Sequence, residues 1–332
     1  MDITMQALDY PQSPLLRLPL ELRLQIYEQL LLPSLLPSST HSLSPLNLLP
    51  DHHVYHSSTT NETPTTLSVR TIDPYLLPHS SRTWRRRSTY HIRTGTYNPI
   101  LRLWIKNADR EIGALGPFLT HTTPTTYRVL LSPYTAHLRH TVPSLLLLNR
   151  QIHDEAARVL YSTYTFNFHT SIESLVPFLS DLTPTARSAI RHVSVTKKPL
   201  PYTSEFDRAE WSSLCTYLST TLHLRTLTLN IIAGKPGNEG WDDVLPISAA
   251  QFGMLRNVKK EFGSSQRGIG GVDLEWVEQV MMIKGLREVN VNAMVEHCPL
   301  PRSETMAFWV AFSKSIESGF AEWIRGAMVE AV

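Results

Sequence analysis

Histidine is the residue in this chain with the most obvious chemical potential, and it clusters twice. His52, His53 and His56 form one group, and His137 and His140 are three residues apart. A structural or catalytic metal needs three or four nitrogen, sulfur or oxygen ligands converging on one point. No cysteine or carboxylate joins either group at ligand spacing, so no metal is expected. Gly268-Ile269-Gly270-Gly271 has the outline of a phosphate loop but lacks the Lys-Ser/Thr that such a loop requires. With Asp273 as N-cap, it reads more simply as the lead-in to a helix. Gly-x-Ser-x-Gly and His-Glu-x-x-His are both missing. The expectation is a non-enzymatic chain with no cofactor. An enzyme whose groups converge from distant positions stays open as a third reading. Arg82, Arg85, Arg86, Arg87 and Arg93 interleave with Trp84 and Tyr90, a pattern suited to nuclear import or a nucleic-acid contact. The net charge of the whole chain is only +2, so a solvated edge is the preferred reading and nucleic acid is not an expected partner.

The elements that must carry any function are those of a globular, charge-poor protein. Hydrophobic residues make up 42% and charged residues 18% of 332, enough for two ordinary domains with a real core. Two cysteines, Cys215 and Cys298, cannot build a disulfide framework and fit a reducing compartment. Asp2, Asp9 and Pro11 are unlike the basic start of a signal peptide, and no apolar run reaches the ~20 residues needed to span a bilayer. An intracellular protein is expected, cytoplasmic or nuclear or both.

Leu18 to Leu31 is the first organised stretch. Pro19 suits the opening turn of a helix, Leu22, Ile26 and Leu30 recur every fourth residue beside Tyr27 and Leu31, and Pro33 ends the run. So short a stripe must bury against the rest of the chain or against a partner. Residues 33–143 read as a Ser/Thr/Pro/His-rich insertion. From Ser34 to about Thr83 it is expected to be mobile, with prolines at 37, 45, 50, 64, 74 and 78. A helix is expected near 99–113, capped by Asn98, opened by Pro99 and facing inward through Leu101, Trp104, Ile105, Ala108 and Ile112. Tyr127 to Leu131 reads as a short strand. A second strong helix follows Pro143 with Ser144 as N-cap; Leu145, Leu148, Ile152, Ala156 and Val159 form its buried face. Asp154 lies four residues from both Arg150 and Arg158, where it can pair with either.

Residues 171–332 repeat one pattern. Ile190-x-x-Val193-x-Val195, Leu224-x-x-Leu227-x-Leu229 and Leu286-x-x-Val289-x-Val291 predict three strands with one buried face each. Helical stripes at Asp207–Leu222 and Leu274–Ile283 separate them, so the strands should lie parallel. A last helix from Glu304 to Met328 offers Phe308, Phe312, Ile316, Phe320, Trp323 and Ile324 to the sheet. The fold class expected is α+β to α/β.

The Leu-Pro helix, followed by Leu146-Leu147-Leu148-Asn149-Arg150-Gln151-Ile152, Glu155-Ala156, Leu160-Tyr161 and then Phe166-x-Phe168, resembles the F-box in the variant found in many fungal proteins. Roughly 110 residues separate the two halves, far beyond an ordinary helix connection. The three strand copies resemble degenerate leucine-rich repeats, which often follow an F-box. They depart from that pattern at Ile232, where the repeat ladder has asparagine. The resemblance implies an F-box-like module from 1–32 and 144–170. In it Leu18, Pro19, Leu22, Ile26 and Leu30 dock on the adaptor subunit of a cullin-type ubiquitin ligase. Arg150, Ile152, Glu155, Ala156, Leu160 and Tyr161 hold the module together, Arg150 and Glu155 as polar anchors. The C-terminal region would then present an unknown protein substrate. The alternative is a stand-alone interaction or scaffold protein that keeps the module as a folding unit, with the Leu-Pro stripe packed inside the chain.

Overall fold

The computed structural model describes residues 13–33, 65–71, 86–87, 96–98, 103–105, 126–131, 134–135, 137–197, 205–237, 244–262 and 274–329. Seven strands make one mixed sheet: β1 (Thr66–Thr71), β2 (Arg86–Arg87), β5 (Thr126–Leu130), β6 (Thr165–Asn167), β7 (His192–Lys197), β8 (Thr226–Lys235) and β9 (Glu288–His297). Their spatial order is β2-β5-β1-β6-β7-β8-β9. The β6 to β9 pairings are all parallel, with Val193 opposite Leu227 and Leu227 opposite Val289, so the three copies of the sequence pattern lie side by side in register. β1 is parallel to β6 and antiparallel to β5. The mixed α/β class is as expected. One sheet nevertheless runs through the spans assigned separately to module, insertion and repeat region.

Leu67 and Val69 of β1 are buried and so are Ser68 and Arg70, in a strand paired on both sides. The mobile reading of this insertion is therefore wrong at residues 65–71. Alternation of β-formers in Thr-Leu-Ser-Val-Arg-Thr outweighs the proline-rich surroundings. The helix expected near 99–113 is overturned at Leu103–Ile105, and Pro99 and Leu101 lie outside the described residues. β3 (Thr96–Asn98) pairs with β4 (Leu103–Ile105) as a hairpin, Asn98 opposite Leu103, instead of Asn98 capping a helix. Tyr97, Trp104 and Ile105 are strand-formers, and a short link joins them. Residues 106–125, including Ala108 and Ile112, lie outside the described residues, as do His52, His53, His56, Gly268–Gly271 and Asp273. Of the arginine-rich stretch, only the backbone of Arg86 and Arg87 is described.

The helices are α1 (Leu20–Leu31), α2 (Leu138–Leu146), α3 (Arg150–Thr163), α4 (Leu175–Ser180), α5 (Pro184–Ala189), α6 (Glu205–Thr221), α7 (Ala249–Phe262), α8 (Glu275–Val280), α9 (Glu304–Ser315) and α10 (Ala321–Met328). A single π turn, Ile316–Phe320, joins α9 to α10, so the long C-terminal helix is nearly continuous. The helix expected to start at Ser144 is really two. Pro143 lies inside α2, and α3 starts afresh at Asn149, whose Oδ1 accepts from the Ile152 amide at 2.8 Å. The expected Leu274–Ile283 helix is shortened to α8, with Leu274 at its cap position.

Two aromatic groups fill the core. Near β6, Phe178 stands edge-on to Tyr127 at 5.6 Å and to Phe168 at 5.8 Å. Under β8 and β9, Phe320 packs on Phe312 (4.9 Å), Phe252 (5.4 Å), Trp276 (5.8 Å) and Trp323 (6.1 Å). Buried Lys197, at the end of β7, places its ammonium 4.8 Å from the Trp211 ring centre, a cation–π contact. Cys215 and Cys298 are both buried free thiols. The described residues contain no helix long and apolar enough to cross a membrane.

Candidate interaction site

α1 is the element around which a site can be built. It begins where Pro19 takes the cap position, with the Arg23 amide donating to the Pro19 carbonyl at 3.2 Å. Its inward row is Arg23, Tyr27 and Leu31, all buried. The Arg23 guanidinium grips Glu155 of α3 with two bonds, Nε to Oε2 at 2.9 Å and Nη2 to Oε1 at 2.8 Å. That fork geometry suits a carboxylate, and it joins residues 132 apart in sequence. Arg23 Nη1 also donates to the carbonyl of Leu18 at 2.5 Å, tying down the turn before the helix. The Tyr27 hydroxyl donates to Glu155 Oε2 at 3.0 Å, and Gln151 Nε2 to Oε1 at 3.0 Å. At the other end of α1 the Tyr164 hydroxyl donates to the Leu31 carbonyl at 2.6 Å. This closes one of the carbonyls that a helix end leaves open.

The Arg23 guanidinium beside Glu155 holds that carboxyl below its usual range. Burial opposes this, and the bonds from Gln151 and Tyr27 assist it. Burial pushes the Tyr27 phenol up to about 12, and its bond to the Glu155 carboxylate adds to the rise. Burial likewise raises Tyr164.

The five residues expected to contact a partner lie together on or just before α1. Leu22, Ile26 and Leu30 point outward, at 45%, 36% and 43% exposure, with Leu20 and Pro19 exposed beside them and Leu18 half-buried. The alternative, in which this row packs inside the chain, differs from the arrangement of the described residues, where the adjacent row one residue on is the one that Glu155 captures. Of the six residues expected to hold the module, Ile152, Ala156 and Leu160 are buried, and Tyr161 stacks on Phe166 at 5.6 Å. Glu155 is a polar anchor, with α1 as its partner. Arg150 is not: it is exposed on the first turn of α3. Asp154 forms no ion pair with Arg150 or Arg158 among the described residues.

Three further features were missed in the sequence. Arg23 and Tyr27 are four apart, a spacing that marks a common helix face, but their partner lies in a distant helix. Leu147 and Leu148, read as helical, stand in the break between α2 and α3 at 82% and 62% exposure. Across β7, β8 and β9 the sheet carries a polar row, Asn292 Nδ2 donating to Asn230 Oδ1 (3.0 Å) and Asn230 Nδ2 to Ser194 Oγ (3.1 Å). Among the described residues no three His, Cys, Asp or Glu side chains converge as a metal-holding group. Comparison of the chain with protein-family models, with curated proteins and with solved structures returned no match.

Proposed function

We propose that this chain is a non-enzymatic, F-box-like recognition subunit. Its α1 would offer Leu22, Ile26 and Leu30, with Pro19 and Leu18, to the adaptor subunit of a cullin-type ubiquitin ligase. Asn230 and Asn292 of the polar row, on β8 and β9, would face a protein substrate. The observation that carries this reading is the orientation of α1. Its Arg23-Tyr27-Leu31 row is held inward by Glu155 while its Leu22-Ile26-Leu30 row is left outward. An exposed row of large aliphatic side chains on a fixed helix is what a helix-docking partner needs. The protein's contribution would be positioning, since a target held beside an activated ubiquitin reacts at high effective concentration.

The same clamp favours a second reading, a stand-alone interaction or scaffold protein in which α1 and α3 are only a folding unit. Capture of the adaptor from purified components separates the two. The ligase reading expects wild-type protein to retain the adaptor and Ile26→Asp or Leu22→Asp to lose it. Failure of the wild-type chain to retain any adaptor would leave the scaffold reading.

A further inference from the structure

The three strand copies share a residue outside their apolar pattern. Each has arginine directly before the strand, Arg191 before β7, Arg225 before β8 and Arg287 before β9. Register makes them neighbours. The Arg191 carbonyl accepts from the amides of Arg225 (2.8 Å) and Thr226 (3.1 Å), and the Arg225 carbonyl from those of Arg287 (2.9 Å) and Glu288 (3.1 Å). Adjacent strands lie about 4.8 Å apart, so the N-terminal ends of these strands carry like charges at close spacing, an arrangement that by itself destabilises pairing.

Two hollows open at these strand ends and share Arg191 and Arg225. One, of about 360 Å³, adds Ser219, Thr220, His223 and Lys284. The other, of about 440 Å³, adds Arg158, Ser162, Thr185 and Ser188. The turn that brings Lys284 to the rim depends on Gly285 at φ 75°, a conformation glycine adopts without strain. Among the described lining residues there is no carboxylate and no phenyl, phenol or indole ring. The nearby carboxylate of Glu288 is engaged by Thr226 (3.4 Å) and Asn290 (3.1 Å). No ion pair neutralises Arg158, Arg191, Arg225 or Lys284 among the described residues. Arg191 spends one nitrogen on the His223 carbonyl at 3.0 Å, which fixes its position and leaves its other donors. The positive field is felt by His192: burial lowers its basicity first, and Arg225 and Arg191 lower it further against the opposing pull of Glu288.

We propose that these joined hollows bind a compact ligand bearing at least two phosphate groups, one seated in each, with Arg191 and Arg225 between them. Guanidinium forks match phosphate oxygens, and hydroxyls complete the shell as neutral donors. Single-stranded nucleic acid is disfavoured because no phenyl, phenol or indole ring is among the described lining residues for a base to stack on. The ligand chemistry is clustered phosphate monoesters, whether on a soluble polyol or on a lipid headgroup. This inference is independent of the ligase reading.

The test is calorimetric titration of the full chain with inositol hexakisphosphate, alongside flotation with phosphatidylcholine vesicles with and without phosphatidylinositol bisphosphate. Saturable binding is expected in at least one arm. Arg225→Glu should weaken it roughly 10- to 100-fold, the loss of charged hydrogen bonds to phosphate. Arg302→Glu changes net charge equally on an exposed loop and should leave binding intact. Binding to the soluble probe assigns a soluble ligand, and binding only to the bisphosphate vesicles assigns the headgroup. No binding in either arm, equal losses in both variants, or binding only of a phosphoserine peptide or single-stranded DNA would overturn the proposal. A thermal melt of Arg225→Glu matching wild type shows that the loss is not unfolding.

Discussion

Between α1 and α3 the deciding contacts are a guanidinium, a carboxylate and a phenol, whereas around Phe320 they are four aromatic side chains. Burial of apolar surface is non-directional, and the C-terminal cluster gains mainly from area and close packing. Hydrogen bonds are directional, so the Arg23–Glu155–Tyr27 group fixes how α1 is rotated about its own axis. One residue of shift is about 100° of rotation. Without that group the apolar row Leu22-Ile26-Leu30 would be the natural one to bury; with it, Arg23-Tyr27-Leu31 turns inward. The aromatic region holds the molecule together, and the polar region decides what it shows.

The most damaging substitution should fall in the aromatic region. Phe320 is fully buried, and Phe320→Ala should cost about 3–5 kcal/mol, seen as a large drop in the urea midpoint of unfolding. It should leave the rotation of α1 unchanged in whatever fraction stays folded. If it altered the exposure of Ile26, for example to a cysteine-labelling probe placed there, the two regions would not be separable.

Cutting the polar region is the next largest effect, and it is dependent on pH. Glu155 ionises more readily folded than unfolded, so its stabilisation is complete above the unfolded carboxylate range and disappears as pH falls through the lower folded value. Glu155→Gln should therefore lower stability at pH 7 by more than a neutral hydrogen bond is worth and should flatten the acid limb of the stability curve. Tyr27 works in the opposite sense. Its folded value near 12 means a contribution present below about 10 and lost as pH climbs toward 12. Melts at pH 3 to 8 check the first statement. An unaltered acid limb in Glu155→Gln would remove the carboxylate from the account.

How much of this was legible in the sequence follows the same division. The three parallel strands and the Phe312-Ile316-Phe320 stripe are local periodicities, and each occupies the place its spacing predicts. The α1–α3 clamp depends on a partner 132 residues away, and no period in the chain marks Glu155 as that partner. Apolarity therefore marked the Leu22-Ile26-Leu30 row without deciding whether the chain or a partner covers it. β1 was obscured by composition: one alternating hexapeptide lies among prolines, serines and threonines. The β3–β4 pairing was lost because Asn98-Pro99 reads in sequence as a helix opening. The arginine register was present in the three copies from the start, but it lay in the positions that an apolar pattern leaves unspecified.

A smaller loss should come from the far end of α1. Tyr164→Phe removes the bond to the Leu31 carbonyl and leaves that buried acceptor without its donor, at a cost of about 1–2 kcal/mol. Because Arg23 and Glu155 are untouched, the acid limb should keep its wild-type shape while the whole curve drops. A changed shape would mean that the two ends of α1 are one cooperative group.

The smallest expected effect on stability is the most informative. Ile26 lies on the outward row, and Ile26→Asp removes none of the hydrogen bonds of the α1–α3 clamp, so its melt should fall within about 0.5 kcal/mol of wild type. The four-residue spacing places Leu22 and Leu30 on either side of it, so the new charge interrupts the aliphatic row at its centre. If the melt is unchanged and adaptor capture is lost, the row is a contact surface whose orientation is fixed by polar bonds on the neighbouring face of the helix. If the melt drops by several kcal/mol, the row is buried by the chain itself in solution, and α1 is held by the same non-directional packing as the Phe320 region.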